Sequence, residues 1–154
     1  METITIQIFQ DDVYEEVAKA TDYTGSKLID SDDTARDRIL AADDDLAELS
    51  RFWVEAALAT NENLKEMLVS GRTKEILGKT GYEAVIEVSK SFDKMLTASV
   101  QSTLRSFFIA SIIGQWFKFA NKGEAKDYFT QAADMMESAE RLLYSRRKPT
   151  RPTD

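Results

Sequence analysis

Between positions 104 and 119 the chain carries two apolar stripes at once, and this does most to limit what it can fold into. Leu104, Phe108, Ile112 and Trp116 recur every four residues, with Phe107, Ala110, Ile113 and Phe117 running beside them. A helix with one stripe can lie on a surface. A helix with two presents a broad apolar arc and must be covered on more than one side. The pattern predicts a central helix, capped by Ser91 or Asp93, that ends near Ala120. Ser111, Gln115 and Lys118 interrupt it, and the apolar run falls short of the roughly 20 residues a spanning helix needs, so no membrane contact is expected.

A break at Asn121-Lys122-Gly123 follows, and then Ala125, Tyr128, Ala132, Met135, Ala139 and Leu142 form a seam widened by Phe129, Met136 and Leu143. So short a break predicts two antiparallel helices packed on each other. Beyond them Pro149 and Pro152 forbid further helix. The domain reading is a single helical domain over 1–147 and an extended basic tail over 148–154.

The amino-terminal half is read in the same way. Thr3 to Ile8 alternate polar and apolar, as a strand with one buried face does. Asp11 or Asp12 can cap a helix carrying Val13, Tyr14, Val17 and Ala20, which Gly25 is expected to end. Asp32 or Asp33 offers a second cap. From there Ala35, Ile39, Ala42, Leu46, Leu49, Trp53, Ala56 and Thr60 alternate four- and three-residue steps, and Leu64 and Met67 continue them. One helix over about 33–69, roughly 55 Å long, is expected, stopped by Gly71. Positions 72–81 read as a polar connection with one helical turn near Glu75-Ile76-Leu77, and 82–88 as a strand that pairs with the first. The fold class is therefore mainly α: a helical bundle with one long helix, a C-terminal antiparallel pair and a minor two-stranded element over 3–8 and 82–88.

Composition removes several chemistries together. With no cysteine and no histidine, thiolate and imidazole metal sites, cysteine nucleophiles and histidine-based triads are excluded, leaving carboxylates alone. Met1-Glu2-Thr3 lacks a basic region and Ile4-Thr5-Ile6 alternates, so no signal peptide is expected. The formal charge of -7 is unevenly spread: positions 11–66 hold 16 acidic and 6 basic residues, whereas 141–154 hold 5 basic residues and one acid. An acidic body argues against a domain that grips duplex phosphates.

Three carboxylates in a row, Asp43, Asp44 and Asp45, fan out by about 100° each on a helix and cannot all face one metal. They read as a solvated face, or as a surface that repels a polyanion or docks a basic partner. The run Asp30-Ser31-Asp32-Asp33 lacks the glycine and distal glutamate of a calcium loop, and Gly71, Gly78 and Gly81 lack dinucleotide spacing. Trp53 and Trp116 fall on apolar stripes and read as core. No catalytic residue, metal or cofactor is expected. Arg146, Arg147, Lys148 and Arg151 complement the negative end of their helix, or carry guanidinium groups onto a neighbour's carboxylates.

The helix order, the segment Ile113-Gly114-Gln115-Trp116-Phe117 and the ending Leu142-Leu143-Tyr144-Ser145-Arg146-Arg147-Lys148-Pro149 resemble the small head-tail connector, or adaptor, proteins of tailed bacteriophages and prophages. The resemblance implies a non-enzymatic structural protein of the virion neck, assembled in the bacterial host cytoplasm. It implies a homo-oligomeric ring, commonly dodecameric, between the portal and the tail or stopper proteins. DNA would pass through that ring without sequence-specific binding. It also implies that Asp43, Asp44 and Asp45 line the channel or a partner face and that Arg146, Arg147, Lys148 and Arg151 clamp a partner. The alternatives are a soluble helical adaptor or regulator that binds one protein partner, and an enzyme built on carboxylates, which would need acids converging from two helices.

Overall fold

Alternation in the first strand sets up a layered structure. In the computed structural model, which describes residues 2–28, 46–120 and 122–146, β1 runs Glu2–Phe9 and buries Ile4, Ile6 and Ile8 while Thr3 and Thr5 face outward. Helix α1, Gln10–Leu28, follows directly, with Asp11 and Asp12 in its first turn, where carboxylates favour the positive helix end. Its inner face buries Val13, Val17 and Thr21, the last returning its hydroxyl to the Val17 carbonyl at 3.0 Å. Gly25, expected to stop this helix, lies within it.

The expected helix over 33–69 does not form as one piece; its portion before position 46 lies outside the described residues. Helix α2 spans Leu46–Asn63 and buries Leu49, Phe52, Trp53, Ala56, Ala57 and Thr60. Its apolar seam runs on into a turn, so the periodicity overshoots the helix: Leu64 is buried after the helix has ended. The Met67 N–H donates to the Leu64 carbonyl at 3.0 Å, and the Met67 carbonyl accepts from the Glu87 N–H at 2.7 Å. Chain direction thus reverses through contacts with a segment some twenty residues away in sequence.

Strand β2, Leu68–Ile76, follows and pairs antiparallel with β3, Lys79–Val88. The extra residue Val69 lies at an irregularity between Leu68 and Ser70. Leu77 and Gly78 alone join the strands, with φ of 52° and 82°. Two consecutive positive φ values suit a right-twisted hairpin, easily for glycine and at a cost of about 1–2 kcal/mol for leucine. Neither a helical turn near Ile76 nor a helix stop at Gly71 is present; Gly71 sits inside β2. The sheet has three strands in the order β1-β3-β2. In the β1–β3 register Ile4 lies opposite Ile86, and Ile8 opposite Tyr82.

Helix α3, Thr97–Ala120, enters through a short 3-10 turn, Lys94–Leu96, capped by the Asp93 carboxylate on the Met95 N–H. It is the one described helix long and apolar enough to cross a membrane by length and composition. Here it is core: Val100, Leu104, Phe108, Ile112 and Phe117 are each fully buried. Trp53 of α2, Phe108 of α3 and Tyr82 of β3 meet at ring-centroid distances of 4.9 Å and 5.3 Å, joining three elements in one aromatic cluster. Trp116 is only partly buried.

Helix α4, Lys122–Leu143, packs along the far side of α3, where Phe117 meets Tyr128 at 5.6 Å. It begins before Gly123, so that residue belongs to the helix instead of the break. The helical bundle closed by a C-terminal pair, with a small two-stranded element to one side, is therefore replaced by a layered α+β arrangement. Among the described residues one face of the sheet is open; α1, α2 and α3 cover the other, and α4 backs α3. The physical reason is that three strands with one apolar face need a helical layer against them, and α3 has arc enough to serve both the sheet and α4.

Candidate functional site

Three surfaces stand out once the core is removed. The first is the open face of the sheet, where one polar row crosses all three strands. Gln7 on β1 donates from Nε2 to Glu83 Oε2 at 3.0 Å, and Lys74 on β2 reaches Glu83 Oε1 at 3.2 Å. The side-chain hydrogen bond from Gln7, then that from Lys74, holds the Glu83 carboxyl below its ordinary range. The arrangement engages both oxygens of the Glu83 carboxylate and ties the three strands together. It is a brace.

Beneath it lies a second polar relay that secures β2. The Tyr82 hydroxyl donates to Asn61 Oδ1 at 2.6 Å, and Asn61 Nδ2 donates to the Gly71 carbonyl at 3.0 Å. A Cβ at position 71 would stand 2.2 Å from Asn61 Oδ1 and 2.7 Å from the Tyr82 oxygen, so only glycine leaves this relay its space. Burial pushes the Tyr82 phenol well above its usual range. Trp53 Nε1 donates to Thr73 Oγ1 at 2.9 Å beside it. Tyr14, its ring 6.3 Å from that of Trp53, is pushed up to about 12 by burial, and its hydroxyl has no hydrogen-bond partner among the described residues. Burial thus keeps both phenols in their neutral form at physiological pH.

The second surface is the outward side of α2. Val54 and Leu58 are one turn apart, opposite the buried Trp53 and Ala56, and are 50 % and 61 % exposed. Leu46 in the first turn is also exposed, and Val69 projects from the β2 irregularity. Around them the surface is charged: Glu48 pairs with Arg51 at 2.6 Å, and Glu62 with Lys65 at 3.0 Å. Val54 and Leu58 lie off the buried stripe, so the apolar seam read from the sequence does not include them. Their i,i+4 spacing was the signal available.

The third surface is the root of the tail. Arg146 forms an isolated antiparallel bridge with Phe92, and its exposed side chain lines a cavity of about 250 Å³ shared with Glu66, Glu87 and Tyr144. The structure thus brings one of the four tail cations near two carboxylates. Arg147, Lys148 and Arg151, like Asp43, Asp44 and Asp45, lie outside the described residues. Among the described residues no group of three or more carboxylates is arranged to hold a metal ion.

The chain matches no known protein family, no characterised protein and no solved structure.

Proposed function

We propose that this chain is a non-enzymatic structural protein of the phage virion neck, which forms a ring between portal and tail through which DNA passes. The observation that carries the reading is the apolar outward face of α2, where Val54 and Leu58 stand exposed on a chain of formal charge -7. Apolar side chains set in a charged rim suit a protein–protein contact. The root of the tail, where Arg146, Glu66 and Glu87 of one copy line a single cavity, adds a charged surface of the kind a neighbouring copy would meet. A single strut over 33–69 no longer supports the ring, because its helix ends at Asn63 and the chain enters β2 at Leu68. The acidic body remains suited to a channel that DNA crosses without sticking.

Sedimentation of the full chain, alone and with purified portal rings, tests the reading, with electron micrographs of whatever assembles. A closed ring, or a stoichiometric complex on the portal, is expected. A chain that stays monomeric in both settings would overturn it, and capture of a single regulatory partner at fixed stoichiometry would put the one-partner adaptor in its place.

A further inference from the structure

The lysines at the junction of α3 and α4 surround a groove that the core does not use. Gly114 has no side chain, so the Phe129 ring lies against α3; a Cβ there would come within 2.8 Å of it. On either side of Phe129, one turn away along α4, stand Ala125 and Ala133, and the small residues leave a trough of about 640 Å³ with an apolar floor. Its rim is Lys118 from the end of α3, with Lys122 and Lys126 from the start of α4. All three are exposed and none forms an ion pair among the described residues. Asp134 is the single acid on the lining. Two of these cations occupy the opening turns of α4, where the helix dipole disfavours positive charge. A net-acidic protein has thus gathered three cations around an apolar floor, two of them where the helix dipole opposes them and Lys118 in the last turn of α3.

We infer that this groove receives a second copy of the chain through its acidic segment 30–45. The inference deepens the ring reading and rests on it. Charge complementarity selects the occupant: positions 30–45 hold seven aspartates against two arginines, and Ala35, Ile39 and Ala42 supply apolar side chains at helical spacing among them. An apolar seam flanked by acids matches an apolar floor rimmed by lysines. A bare phosphate chain would leave Phe129 and the alanines uncovered. Because groove and segment are different surfaces, each copy offers one of each. Such head-to-tail contacts close into a ring when the rotation between copies permits. Asp43, Asp44 and Asp45 then lie at the contact between subunits, opposite the lysine rim.

A charge-swap experiment on the full chain tests this. Lys118, Lys122 and Lys126 are changed together to Glu in one variant, and Asp43, Asp44 and Asp45 together to Lys in another. Circular dichroism and thermal melting verify folding, which glutamates at the start of α4 favour. Sedimentation velocity should show each variant self-associating at least about tenfold more weakly than the wild type. An equimolar mixture should recover assembly, since each groove then meets a segment of opposite charge. Cross-linking of mixed light and heavy-isotope wild-type chains should join Lys122 or Lys126 to Asp43–Asp45 between isotopes. If the wild type assembles and the lysine variant assembles equally well, the groove assignment falls while the ring stands. Cross-links found only within one isotope overturn the second copy as occupant. A wild type that is monomeric at every concentration removes this contact, and the loss of portal binding as well would remove the ring.

Discussion

The two outer strands of the sheet are attached to the same central strand by different means. Strand β1 contributes Ile4, Ile6 and Ile8 to the core, three apolar side chains on one face. Strand β2 buries only Ile76 and is instead tied down through polar atoms: Thr73 to Trp53, Gly71 to Asn61, and Lys74 to Glu83. The first strand is held by burial that is non-directional and tolerant of small shifts. The second depends on donors and acceptors set at fixed distances by α2 and β3. One sheet thus combines a strand whose position follows from its own side chains with another whose position follows from its neighbours.

The largest effect should come from the apolar side. Ile6→Ala removes a side chain with no exposed surface and should cost about 3 kcal/mol, read as a lower denaturant midpoint at unchanged slope. A loss under about 1 kcal/mol would mean that β1 is not held by burial. Gly71→Ala should cost about 2 kcal/mol, because the new methyl displaces Asn61 and breaks its bonds to Tyr82 and to the strand. In an Asn61→Ala background the same change should cost far less, and equal costs in both backgrounds would show that the relay does not secure β2.

Smallest is the brace on the open face. Glu83 has its carboxyl held below the ordinary range by Gln7 and then Lys74, so its contribution is present above the unfolded carboxylate pKa. It is lost as pH falls through the lower, folded value. Glu83→Gln should therefore narrow the gap in melting temperature from the wild type as the solution is acidified, and a gap constant from neutral to strongly acidic pH would remove the ion from the account.

The same comparison explains what could be read in advance. Strand β1 announces itself by alternation, and the stripes of α3 mark Leu104, Phe108 and Ile112, each fully buried. In α4 the expected seam is close to the observed one, although Met136 and Leu143 are buried where Met135 and Leu142 are only partly so. Strand β2 gives no such signal. Its sequence Leu68-Val69-Ser70-Gly71-Arg72-Thr73-Lys74-Glu75-Ile76 has no alternation, and the seam of α2 runs past the helix end through Leu64. Among the candidate site residues Arg146 alone falls within the described structure, while the Val54–Leu58 face and the lysine groove became visible only with the helices in place.

From the chain alone came the facing of side chains within regular elements, because a period of 3.6 or 2 is local and needs no partner to express itself. The absence of cysteine and histidine set the chemistry with equal independence. Tertiary structure decided where α2 stops, that a third strand forms, and which lysines stand together. Each of those outcomes depends on atoms far apart in sequence: the Glu87 N–H that captures the Met67 carbonyl, the Asn61 amide that reaches Gly71, and the Phe129 ring that settles on Gly114. Hydrogen bonds and close approaches of that kind exist only after the layers have met, so no local pattern could carry them.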